Sequence, residues 1–310
     1  MLRIILIIIF IILGNCSGKE KEYHPRAVVI FRTGDVRTTA KSLALGDEIT
    51  DTDLVMVGGK SVCDLQMIGT ETLAVIRIKE YSKFKLKGVQ VGFTKTNNFI
   101  VDSGSAMLNV SKLGRNEEVN ASTPTLTAGV RGTKYDLNVA PNGNSKVNVV
   151  EGSVSMKVRV PELEKYSRTE IKQSKTLSAV DDALESKEIV IESGKSSQVP
   201  KSVSTKILKD TGLETVIKKD SASEVDKDVD PKAVEEKLEK LEKEDLNNTT
   251  SDIDQASMTQ KLKEYEELTP IEKEIINDKE KRKSVIKARS EKLEKSWLQR
   301  LLDWSKNIKF

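Results

Sequence analysis

Residues 121–157 read ASTPTLTAGVRGTKYDLNVAPNGNSKVNVVEGSVSMK, and this segment constrains the fold more than any other. Over 133–139, Tyr135, Leu137 and Val139 alternate with Lys134, Asp136 and Asn138. A period of two in aromatic and β-branched residues predicts a half-buried strand. Pro141-Asn142-Gly143-Asn144 follows, and Asn-Gly suits the positive φ angles of a tight turn. A second strand is expected over 146–150, a turn at Glu151-Gly152, and a third strand over 153–160 with Val154, Met156, Val158 and Val160 in phase. Upstream, Gly129-Val130-Arg131-Gly132 sets a Val-Arg pair between two glycines, the pattern of a sharp corner passing close to a neighbour.

The same grammar runs from residue 27 to 110. Apolar or alternating strands are expected at 27–31, 54–57, 73–78 and 84–86, with glycine-led strands at 88–91 and 104–110. Turns are expected at Gly58-Gly59, Gly69 and Asp102-Ser103-Gly104. Short strands with frequent turns and no intervening helices predict an all-β module. The recurring glycine-led strands favour a β-solenoid of stacked coils, with a sandwich as the alternative. Gly59-Lys60-Ser61 and Gly194-Lys195-Ser196 end like phosphate-binding loops, but Leu54 and Ile189 stand where such a loop needs its first glycine. Both read as β-turns.

Several of these pieces resemble the FecR domain family: Thr123-Pro124, Gly129-Val130-Arg131-Gly132-Thr133, the strand at 135–139, and Val149-Val150-Glu151-Gly152-Ser153-Val154. Gly34-Asp35-Val36 and Leu45-Gly46-Asp47-Glu48-Ile49 are similar to the family's opening strands, and Glu192-Ser193-Gly194-Lys195 to its closing turn. The resemblance implies an extracytoplasmic module of short stacked strands, associated with signalling and protein contacts, over residues 27–199. It brings no catalytic residues. Well-known members place a cytoplasmic domain and one membrane span before the module; none is expected here, so the sigma-regulator role is not carried over. The motif residues Thr123, Pro124, Gly129, Arg131, Gly132, Thr133 and Gly152 are expected to be structural. Arg131 could present a planar fork of donors to a partner's carboxylate. It could instead bond carbonyls or an internal acid at the corner, and its flanking glycines favour that second role.

The N-terminus carries a different signal. Arg3 precedes an unbroken apolar run of ten residues, 4–13. A spanning helix needs about 20, so the run suits a signal peptide, residues 1–15. Leu13-Gly14-Asn15-Cys16 resembles a bacterial lipobox of the looser, spirochaete-like kind. Cys16 would then be the acylated first mature residue, anchoring the protein to a membrane of the cell envelope. Residues 16–26 form a polar tether holding His24, the chain's one histidine, as a solvated residue. Cys63 has no partner for an internal disulfide and reads as a small buried hydrophobe in a strand.

Past residue 200 glycine nearly vanishes and charge dominates. Residues 200–230 read as a linker and 231–310 as a charged helical region. A helix is expected from Pro231 with Val234, Leu238 and Leu241 on one face. Another is expected from Thr269-Pro270-Ile271-Glu272, a capping-box start, to about residue 305. Its end carries Trp297, Leu301 and Trp304 at helical spacing, a stripe for docking on the β module or for meeting a partner or membrane.

Among 310 residues, 32% are charged and only 4% aromatic, with a formal net charge of +3. No basic block with interleaved aromatics points to nucleic acid. No nucleophile–base pair, metal cluster or cofactor loop stands out, so neither catalysis nor a cofactor is expected. The expectations are therefore an envelope lipoprotein contacting a protein partner, one binding cell-wall glycan, or one exposed at the surface to bind ligands.

Overall fold

A computed structural model of the chain describes residues 20–217, 221–244 and 250–307. The signal run, the lipobox and Cys16 lie outside the described residues. Strands come first: β1 (Glu20–Glu22), β2 (Arg26–Thr33), β3 (Val36–Arg37), β4 (Glu48–Ile49), β5 (Leu54–Val57), β6 (Val62–Ile68), β7 (Leu73–Ile78), β8 (Ser82–Val91) and β9 (Thr94–Lys112). The expected segment follows as β10 (Glu117–Ser122), β11 (Leu126–Val130), β12 (Thr133–Val139), β13 (Ser145–Glu151) and β14 (Ser153–Val158). Then come helices α1 (Arg168–Gln173) and α2 (Lys175–Ser186), strands β15 (Ile189–Glu192) and β16 (Lys195–Val199), and helices α3 (Lys201–Asp210), α4 (Leu213–Val216), α5 (Ala222–Asp228) and α6 (Pro231–Glu244). Strand β17 (Thr250–Asp252) precedes α7 (Gln255–Glu267), α8 (Lys273–Ile276) and α9 (Lys279–Asn307). The strands join in one mixed sheet with a helical C-terminal region.

Strand β9 organises the sheet. Residues 94–103 pair with β8 and residues 95–100 with β10; residues 104–112 pair instead with β7 and β12. A turn is expected at Asp102-Ser103-Gly104, but the strand runs on and bends there. Gly104 holds φ +81, and a side chain at that position would collide with Ser82, whose Oγ lies 2.3 Å from the Cβ site. Only glycine accepts both conditions. The bend divides the pairings into two ladders. The first joins β3, β5, β8, β9, β10, β11, β14 and β15, with β1 beside β8. The second joins β4, β2, β6, β7, β9, β12, β13, β16 and β17.

Alternation sends one face of each ladder into a shared interior. Phe84, Leu86, Phe99, Ala121, Leu126 and Met156 enter it from the first; Cys63, Leu65, Ile76, Leu108, Tyr135 and Val149 enter from the second. Helices α2 to α6 belong to the same core through Leu177, Val180, Val203, Ile207, Leu213, Val225 and Val234. Residues 200–230, expected as a linker, thus hold three short helices with buried apolar residues. Asp226 of α5 accepts from Ser174 Oγ (2.8 Å) and from the backbone N–H groups of Lys175 (3.0 Å) and Thr176 (2.9 Å), closing the first turn of α2.

The last three helices pack on the outer face of the second ladder. Val28, Ile30, Ile68, Val75, Met107 and Val150 meet Tyr265, Leu268, Ile271, Ile276 and Ile286 in a second apolar cluster. The capping box expected at Thr269 is not formed: Thr269 Oγ1 donates to the Glu266 carbonyl, and helix resumes only at Lys273. Asp278 starts the long helix instead, accepting from Glu280 N (3.0 Å) and Lys281 N (3.1 Å).

Candidate functional site

The Gly129–Gly152 region is built from two turns lying side by side. Gly132 (φ +65) closes the turn from β11 to β12, and Gly152 (φ +85) the turn from β13 to β14. A Cβ on Gly152 would lie 2.7 Å from the Gly132 carbonyl oxygen. Thr133 ties them together, its Oγ1 donating to the Ser153 carbonyl (2.9 Å) with the Arg131 carbonyl 3.3 Å away as the alternative acceptor. Thr123, fully buried, turns the chain before β11: its Oγ1 accepts from Leu126 N (3.1 Å) and Thr125 N (3.3 Å). Pro124 is the half-buried second residue of that turn. Arg131 differs from expectation. It is exposed, and among the described residues its guanidinium makes no hydrogen bond or ion pair. Neither flanking glycine is crowded, since a Cβ would meet nothing within 4 Å at Gly132 and nothing nearer than 3.5 Å at Gly129, and alternation along β11 points residue 131 outward with Thr127 and Gly129.

The two outer faces differ in kind. That of the second ladder is sealed by polar as well as apolar contacts. Gln66 donates from Nε2 to the Ile271 carbonyl (2.7 Å) and accepts Ile271 N–H on Oε1 (2.8 Å). Asn109 Nδ2 donates to the Leu268 carbonyl (2.8 Å). Asp64 takes a two-pronged bond from Arg77, 2.8 Å on each prong, and Arg77 Nη1 reaches Glu267 at 3.1 Å. Burial alone would lower the Arg77 pKa, but Asp64 and Glu267 hold it above its ordinary value. Lys261 bonds Asp136 (2.6 Å), Lys79 bonds Glu264 (2.7 Å), and Arg282 bonds Glu48.

The first ladder's outer face carries no such helical layer among the described residues. Register aligns one row across six strands: Lys87, Asn98, Asn120, Gly129, Ser155 and Val190. Strands lie about 4.8 Å apart, so the row spans about 24 Å. A parallel row holds Lys85, Ile100, Ser122, Thr127 and Lys157. Asn98, Asn120, Gly129 and Ser155 are half-buried, Lys87 is exposed and Val190 is 59% exposed. Gly129 is the informative member. Its φ is not among the positive ones, and an added Cβ would meet nothing nearer than Asn120 Oδ1 at 3.5 Å, an ordinary contact. Neither backbone nor crowding demands glycine, so its effect is a dimple mid-row.

Cys63 is fully buried, and burial pushes its thiol pKa up, as expected of a core residue rather than a nucleophile. His24 Nδ1 pairs with Asp51 Oδ2 at 2.8 Å, which raises its pKa, and it remains mostly exposed. Trp297 is half-buried on α9, whereas the side chains of Leu301 and Trp304 lie outside the described ones. Leu293, one turn earlier, packs on Phe31 and Val62 of the β module. Sequence reasoning missed Asp64, Gln66, Arg77 and Asn109, because polar residues on alternating strands read as solvent-facing.

Residues 61–155 match the family model described as FecR protein. That is under a third of the chain, and it contains both turns, the bend at Gly104 and most of the open row. Two solved structures of a proposed anti-sigma factor from Parabacteroides distasonis are each 11% identical to this chain. One covers 48% of this chain with a TM-score of 0.33, the other 45% with a TM-score of 0.28. The chain spans about half the length of those chains, 55% of each. No curated protein matches it.

Proposed function

We propose that this chain is a lipid-anchored envelope protein whose FecR-like β module recognises a protein partner through the open face of the first ladder. The supporting observation is the contrast between faces. One is sealed by the chain's own helices; the other displays an ordered row within the FecR-matching segment. Acyl chains on Cys16 hold the module outside the cytoplasm, and two or more such chains anchor stably. No described helix is long and apolar enough to cross a membrane. The module acts by contact, with no catalytic group. Two ladders closing on one interior, with β9–β10 the one parallel pairing among the described strands, favour a sandwich over stacked coils.

A second reading rests on the chemistry of the same row. Asn98, Asn120 and Thr127 are neutral donors and acceptors, a set that also suits cell-wall glycan. A photo-crosslinking residue at Asn120, activated in intact cells, separates the two. A discrete protein adduct supports the first reading. Adducts confined to the cell-wall fraction support the second. Adducts with neither, from a membrane-retained protein, overturn both.

A further inference from the structure

We propose that the tip of the β8–β9 hairpin is a membrane contact, seating Phe93 in the interface of the leaflet that holds the Cys16 acyl chains. The proposal rests on the lipid-anchor reading above. Phe93 is 89% exposed, more than any other large apolar residue described, and its neighbour Val91 is 39% exposed. Both belong to a two-residue turn, Gly92-Phe93, closed by the Val91–Thr94 pair. Gly92 holds φ +60, the positive angle such hairpin turns require at a central position. Gln90 Nε2 donates to the Gly92 carbonyl at 3.0 Å and firms the turn. A polar residue would serve the turn as well. The fold therefore gives no reason for an aromatic ring there.

The chain's covalent path says what the ring meets. Strand β1 lies on β8 at the tip, with Glu20 opposite Val91. Cys16 precedes Glu20 by four residues, so their Cα atoms can be no more than about 14 Å apart. Acyl chains on Cys16 would therefore enter the bilayer within reach of the tip that carries Phe93. The surrounding charges have both signs. Lys21, Lys95 and Arg115 stand with Glu22 and Glu118 at this end, where Lys95 N–H donates to the Asn116 carbonyl at 2.8 Å. The contact therefore rests on the ring and needs no anionic lipid. Amphipathic elements seat about 5–10 Å deep at the headgroup boundary, a depth within reach of a side chain at a turn. Two attachment points would also fix how the module stands on the membrane.

The test couples the mature chain, beginning at Cys16, through that thiol to a maleimide lipid in phosphatidylcholine vesicles. Cys63 is buried and leaves Cys16 as the reactive thiol. Phe93→Trp is compared with the parent chain to subtract Trp297 and Trp304. Lipids brominated near the top of the acyl chain should quench the added emission about twofold or more, as an interfacial seat requires. Equal emission in brominated and plain vesicles overturns the proposal. The mass of the native N-terminus tests the anchor separately. Quenching with an unmodified native Cys16 would sink the anchor reading and with it the leaflet assigned to the tip; an acylated Cys16 without quenching would overturn the tip contact alone.

Discussion

Replacing Asp64 by Asn should be among the most damaging isosteric changes in this protein. The carboxylate is fully buried and takes both prongs of Arg77, whose side chain is 6% exposed. The guanidinium cannot shed its proton, so the variant leaves a charge in the interface between sheet and helices. Removing one member of a buried pair costs about 3–5 kcal/mol. Glu267 remains 3.1 Å from Nη1 and is itself only 19% exposed, which sets the expectation at the low end, about 3 kcal/mol. Replacing both residues by leucine should recover most of the loss, since well-packed apolar pairs are often neutral or better, within about 1 kcal/mol. Denaturant titration reads this with two probes. Both tryptophans, Trp297 and Trp304, lie on α9 and report the helical layer, while far-ultraviolet circular dichroism reports the whole fold. Early loss of the tryptophan signal in Asp64→Asn would mark release of the layer before the sheet. A cost below about 1 kcal/mol, the value of a solvated pair, would refute the claim that this bond holds the layer down. So would a double variant whose loss equals the sum of the single ones.

Gly129→Ala should leave the fold intact or stabilise it by about 0.5–1 kcal/mol, because a strand glycine carries that penalty, while weakening crosslinking from Asn120 by filling the dimple; a thermal melt and the crosslink yield check the two halves. Arg282, hydrogen-bonded to Glu48, holds that carboxyl below its ordinary range. The sign follows: the contribution is full above the unfolded value, about pH 4.3, and is lost as pH falls through the lower folded value. Acid titration of stability should therefore be shallower in Glu48→Gln, and an unchanged profile would count against the pair. Cys16→Ala should move the protein from the membrane to the soluble extracytoplasmic fraction on cell fractionation, and continued retention would sink the anchor reading.

What the sequence makes legible follows from how each signal is written. Strands β12 to β14 announce themselves because their apolar residues recur at period two and their turns demand Asn-Gly or glycine. Period two does not distinguish a face turned to water from one turned to another layer. Gln66 and Asn109 look solvated until Ile271 and Leu268 present unpaired backbone groups to them from about 160 to 205 residues away, and Asp64 until Arg77 is seen buried against it. In the sequence Asp278 and Arg282 interrupt a stripe of Ile271, Ile275 and Ile286, yet one caps α9 and the other finds Glu48 across the interface. Helices α3 to α5 hide because their buried residues are few and set among lysines, as with Val203 and Ile207 in Lys201–Asp210. Asp226 is one acid in a charge run until the start of α2 lies against it. Gly129 is the converse case. Its motif invites a structural explanation, yet the pleat leaves room for a side chain. A glycine where neither backbone nor packing requires one leaves a dimple that an approaching partner can use, which is why the open row, and not the buried turns beside it, carries the functional reading.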